Sequence, residues 1–145
     1  MADKVELSID IDADADTVWA ALTDPTLIKR YMMGADVATD WQVGHPITWS
    51  GNYQGKAYED KGVVQVVEPA RRLSVTHWSP LSRLEDKPEN YHTVTYDLVP
   101  AGARTELTLT QENLTGVSPE QSAGNWQKVL DGLKATAEDE YQRLR

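Results

Sequence analysis

The closing stretch SPEQSAGNWQKVLDGLKATAEDEYQRL, residues 118–144, decides how the rest of the chain must fold. Trp126, Val129, Leu130, Leu133, Ala137, Tyr141 and Leu144 recur at a period of 3.6, with Lys128, Asp131, Lys134, Glu138 and Arg143 elsewhere, which predicts one long amphipathic helix. Ser118 suits its N-cap and Pro119 its first turn. A helix with one apolar stripe needs a partner face to cover it. That partner lies upstream, where Lys4 to Asp12 alternate Val5, Leu7, Ile9 and Ile11 against polar residues, predicting a strand buried on one side.

Between these ends the text changes period twice. From Ala13 the spacing of Val18, Trp19, Ala21 and Leu22 is helical and stops at Thr23-Asp24-Pro25; a second short helix runs from Thr26 to Tyr31, and Gly34 ends it. Six further strands are predicted at 37–42, 46–53, 57–67, 73–78, 91–99 and 104–112, separated by turn residues such as Gln54-Gly55-Lys56 and Pro100-Ala101-Gly102. The polar Ser79 to Asn90, with two prolines, is the longest connection and is expected to be a mobile loop. Links of hairpin length make the sheet antiparallel. The expected architecture is α+β: a curved antiparallel sheet of about six to seven strands wrapped around the long helix, with a cavity where helix and sheet do not meet.

With 145 residues there is room for one domain. At 40% hydrophobic and 26% charged the chain has a globular composition. The absence of cysteine excludes disulfides, thiol catalysis and Cys-ligated zinc. A net charge of −9 argues against nucleic acid and anionic membranes as partners. No apolar run approaches the ~18 residues of a membrane span, and the N-terminus has no leader pattern, so a soluble, cytoplasmic protein without membrane insertion is expected.

Several runs carry a family resemblance. They are Val18-Trp19-Ala20-Ala21-Leu22-Thr23-Asp24-Pro25 with Leu27 and Tyr31, Gly62 to Pro69 with Arg72-Leu73, Val94 to Leu98, Thr105 to Gln111, and Gly124, Trp126, Leu130 and Leu133 in the last helix. Together these resemble the SRPBCC (START-like) superfamily, in the branch related to the C-terminal domain of the activator of the heat shock protein 90 ATPase. The resemblance spans roughly Val5 to Ala137 and implies the helix-grip fold. Superfamily members include lipid and hormone carriers and polyketide aromatase/cyclases, so the fold alone does not select a function.

Candidate sites follow from strand parity. Asp10, Asp12, Asp14 and Asp16 invite a calcium loop, but neither register supplies the glycine at the sixth position or the glutamate at the twelfth. Among the histidines, His45 sits in a Gly-His-Pro turn, whereas His77 follows Leu73 and Val75, and His92 precedes Val94, Tyr96 and Leu98, at period two. Both should therefore face the concave side, although the resemblance implies a position for His77 that is often aromatic. Trp49 and Tyr53 share parity with Ile47. The expected ligand-binding set is Trp49, Tyr53, His77, His92, Tyr96 and Trp126, without metal or cofactor.

No nucleophile–base constellation is legible. The leading expectation is a protein that binds a small hydrophobic or aromatic molecule in its central cavity. Two alternatives stand beside it: a cyclase, dehydratase or hydrolase using the same cavity through His77, His92 and Tyr96, and a chaperone-linked or stress-related interaction module with a protein partner. A monomer or a homodimer is expected: Val63 and Val67 share a face opposite Val64 and Val66, and one of these pairs on the outer surface would support a dimer.

Overall fold

In the computed structural model, residues 4–114 and 118–144 are described. The chain runs β1 (Lys4–Ile11), α1 (Ala15–Thr23), α2 (Pro25–Tyr31), β2 (Asp36–Ala38), β3 (Pro46–Tyr53), β4 (Lys56–Glu68), β5 (Arg72–His77), β6 (His92–Ala101), β7 (Arg104–Glu112) and α3 (Pro119–Leu144). Among the described residues the strands form one seven-stranded antiparallel sheet in the order β1-β7-β6-β5-β4-β3-β2. This is the helix-grip architecture.

The helix starts are chemically explicit. Asp14 accepts from the Thr17 N–H at 2.9 Å and Asp24 from the Thr26 N–H at 2.8 Å, satisfying donors that the first turn leaves free. Ser118 does the same for α3, accepting from the Gln121 N–H at 3.1 Å. Along α3, Leu130, Leu133 and Ala137 are fully buried, and Trp126, Val129 and Tyr141 pack against the core. Leu144 departs from the expected stripe and is exposed, because the helix outruns its support.

The helix lies on β1, α1 and α2. Lys134 Nζ donates to the Asp10 carbonyl at 2.9 Å, and the Asp12 N–H donates to Glu138 Oε2 at 2.9 Å, so α3 covers backbone groups on the open edge of β1. Gly132 lets α3 approach α2: a Cβ there would sit 2.8 Å from Tyr31 Cβ.

Three expectations change. The second strand covers Asp36–Ala38 rather than 37–42, because Thr39 Oγ1 donates to the Pro46 carbonyl and accepts from the Trp41 N–H, while Asp40 accepts from the Gln42 N–H. Side chains there take over the backbone's bonds and turn it, with Trp41 at φ +59°. The segment after β5 is not a featureless connection: it carries two 3-10 turns, Pro80–Ser82 and Pro88–Asn90, with Tyr91 Oη donating to Asp86 at 2.5 Å and Lys61 paired with Asp86. Finally, the register of β4 against β5 shifts between Val64 and Val66. The bulge resets parity, so Val67 packs on the core with Val64 instead of sharing the outer face with Val63.

Candidate functional site

Strand β4 is where the sheet bends. Its first half pairs with β3 through Lys56–Val63, and its second half pairs with β5 through Val64–Glu68. At the bend, a Cβ on Gly62 would lie 1.7 Å from the Thr76 carbonyl oxygen, so only glycine permits the approach. The Val63 N–H, displaced from regular pairing, donates to Thr76 Oγ1 at 2.9 Å. This curvature carries β3 and the start of β4 away from α3, and a cavity of about 210 Å3 opens between them.

The wall is mostly apolar. Leu22 from α1, Ile28 and Tyr31 from α2 and Met32, Met33 and Ala35 from the following turn form one side. Trp41 of the turn before β3, Ile47 and Trp49 of β3, Leu73 and Val75 of β5, Val94 and Tyr96 of β6, and Trp126 and Val129 of α3 supply the rest of its apolar part. Met33 stands at the rim, 80% exposed in a left-handed conformation with φ +57°.

A few polar groups interrupt this wall. His77 Nε2 and Asp60 Oδ2 are 2.9 Å apart, and the side chains retain only 30% and 15% exposure. Asp60 stands opposite Trp49 in the β3–β4 register, and the Trp49 ring meets the His77 ring edge-on at 5.1 Å. The other carboxylate oxygen, Asp60 Oδ1, is buried without a hydrogen-bond partner, a deficit of roughly 1–3 kcal/mol. Tyr58 shares this part of the wall. Burial, and then the Asp60 charge, push its phenol above the ordinary range. Its ring sits where a side chain at Gly51 would be, since a Cβ there would come 2.9 Å from Tyr58 Oη.

Burial also raises the Tyr96 phenol, and raises Tyr31 with a further contribution from Tyr96. Both stay neutral at physiological pH. Tyr31 Oη donates to the Ala21 carbonyl at 2.7 Å and ties α2 to α1. Trp126 Nε1 donates to Gln111 Oε1 at 2.6 Å, and Ser122 Oγ donates to the same oxygen. This holds the start of α3 over β7.

Of the residues expected to line a pocket, Trp49, His77, Tyr96 and Trp126 come together on the cavity wall. Tyr53 stands apart, 44% exposed at the last position of β3, where the turn at Gln54 and Gly55 reverses the chain beyond the cavity. His92 faces inward and is buried, but it sits behind His77, the two rings stacked at 6.4 Å and 20°. Its Nδ1 donates to the Asn113 carbonyl. Sequence reasoning missed Asp60, Tyr58, Trp41 and the residues of α1 and α2. A usable signal for Asp60 existed: a two-residue turn at Gln54-Gly55 pairs Tyr53 with Lys56 and so brings position 60 opposite Trp49.

Among the described residues no group of three or more His, Asp or Glu side chains is placed to hold a metal. No helix among them is long and apolar enough to cross a membrane.

Residues 12–138 match the family described as Activator of Hsp90 ATPase homolog 1-like protein. No curated protein matches the chain. Among solved structures, a Cytophaga hutchinsonii protein determined in solution is 38% identical over 94% of each chain, with a TM-score of 0.80. CalU16 from Micromonospora echinospora is 26% identical with a TM-score of 0.68, covering 97% of this chain and 79% of that one. The fold is shared by Aha1 from Colwellia psychrerythraea, solved as a dimer: 19% identity, a TM-score of 0.71, and 93% and 96% of the two chains covered. By the extent of the family match and the 38% identity across nearly the whole fold, the chain belongs to the Activator of Hsp90 ATPase homolog 1-like family.

Proposed function

We propose that this protein binds a small, largely apolar or aromatic molecule in the cavity between the bent sheet and α3. The observation that carries the reading is the cavity itself, walled mainly by aliphatic and aromatic side chains with few polar groups among them. Apolar surface held open in this way gains free energy when a ligand displaces poorly bonded water. Size narrows the class: an apolar cavity of about 150 Å3 accepts benzene. The cavity here, at about 210 Å3, is larger than that and suits a ligand of one or two fused rings.

The test is a thermal melt against a panel of one- and two-ring aromatic compounds. A ligand at a hundredfold excess over its Kd adds about 2.7 kcal/mol, which is a rise of roughly 5–10 °C for a domain of this size. Trp49→Ala, which removes one wall, should weaken the response at least about tenfold in concentration. If no compound raises the melting temperature and native mass spectrometry of the gently purified protein gives a bare chain mass, the reading falls.

A further inference from the structure

The Asp60–His77 pair on the cavity wall has a chemistry of its own. Asp60 is a carboxylate, an acceptor only, and it faces His77 Nε2 at 2.9 Å. A ring nitrogen opposite a carboxylate carries the proton, so in neutral His77 the other nitrogen, Nδ1, bears a lone pair. Among the described residues Nδ1 has no hydrogen-bond partner, and it is not sealed from access as Asp60 Oδ1 is. Trp49 edge-on and His92 stacked against the ring hold it in place. His92, whose Nδ1–H donates to the Asn113 carbonyl, stands behind that ring and is not among the side chains that line the cavity.

Resting on the cavity reading above, we propose that the Asp60–His77 pair makes this cavity selective for a small aromatic ligand bearing a hydrogen-bond donor, a phenolic O–H or an aromatic N–H, which His77 Nδ1 accepts. Asp60 is the positioning residue, setting which ring nitrogen is the acceptor. Its charge also disfavours an anionic ligand beside it. A donor-free hydrocarbon of the same shape fills the cavity but leaves Nδ1 without a partner, and that difference supplies the selectivity.

The experiment measures Kd by calorimetry for 2-naphthol, naphthalene and 2-naphthoate with the wild-type chain, His77→Phe and Asp60→Asn. The wild type should bind 2-naphthol at least about tenfold more tightly than naphthalene, and 2-naphthoate most weakly. His77→Phe keeps an aromatic wall without an acceptor, so naphthalene binding should persist while the preference for naphthol collapses to near unity. Asp60→Asn keeps the ring, but its amide can donate to Nε2 and move the ring proton to Nδ1, so the preference should fall there also. Imidazole 15N spectra of the wild type should show a protonated Nε2 and an Nδ1 signal that moves with 2-naphthol but not with naphthalene. That readout stands even if a variant does not fold.

Equal affinity for naphthol and naphthalene, or an undiminished preference in a folded His77→Phe chain, overturns this inference while the cavity reading stands. Tighter binding of 2-naphthoate than of 2-naphthol overturns it too, since His77 would then act as a cation. Failure of all three probes in the wild type counts against the cavity reading itself.

Discussion

Gly62 carries the bend of the whole sheet on the absence of one carbon atom. With 1.7 Å between a hypothetical Cβ and the Thr76 carbonyl, Gly62→Ala must push β4 off β5, and overpacking of backbone against backbone costs about 3 kcal/mol or more. Urea denaturation of the variant should show a lowered midpoint; an unchanged midpoint would mean that β4 can part from β5 without loss. Trp126 is a gentler case. Trp126→Phe keeps much of the bulk but removes the donor to Gln111 Oε1, while Ser122 Oγ still donates to that oxygen. A loss of about 1 kcal/mol is expected by the same measurement.

Among the elements, α3 shows how packing and charge divide the work of docking. Leu133 is fully buried in the core, so Leu133→Ala should cost about 2–5 kcal/mol, read as a lower midpoint of unfolding. At the next turn the link is electrostatic. Burial raises the Glu138 carboxyl, but Lys134 and the Asp12 N–H outweigh it and hold the group below its ordinary value of 4.5. A carboxyl with a lowered folded-state pKa contributes stability that is fully present above 4.5 and is lost as the pH falls through the lower folded value. Glu138→Gln should therefore flatten the acid limb of the stability curve below the ordinary glutamate value. Equal slopes for the two proteins in acid titrations of urea stability would show that Glu138 does not anchor the helix to β1.

For the molecule as a whole, the cavity is the difference between two curvatures. The helix follows β1, α1 and α2, while β3 and β4 turn away, and the space between them belongs to no single element. Filling it from the sheet separates cavity from fold. Val75 is buried on the wall, and Val75→Phe should occupy part of the 210 Å3 and abolish ligand-induced stabilisation while the chain remains folded. Retained ligand response in a folded Val75→Phe chain would place binding elsewhere.

Period and punctuation are local properties, and they determined most of the architecture. Alternation in Val5 to Ile11 and Val94 to Leu98, the 3.6 period from Trp126 to Tyr141, and the turn residues between strands are readable without tertiary knowledge, because side-chain direction repeats every two or 3.6 residues. Local reading failed where side chains competed with the backbone ladder, at Thr39 to Gln42, and where a bulge reversed parity, at Gln65. Parity also placed Trp49, His77 and Tyr96 on the inner face. It did not separate them from Tyr53, which shares that parity but lies past the cavity's end, or from His92, one ring behind the wall. Only tertiary structure decided those cases, and only it set Asp60 against His77. Cavity membership depends on the standoff of α3 and the bend at Gly62, distances between elements remote in sequence that no local period encodes.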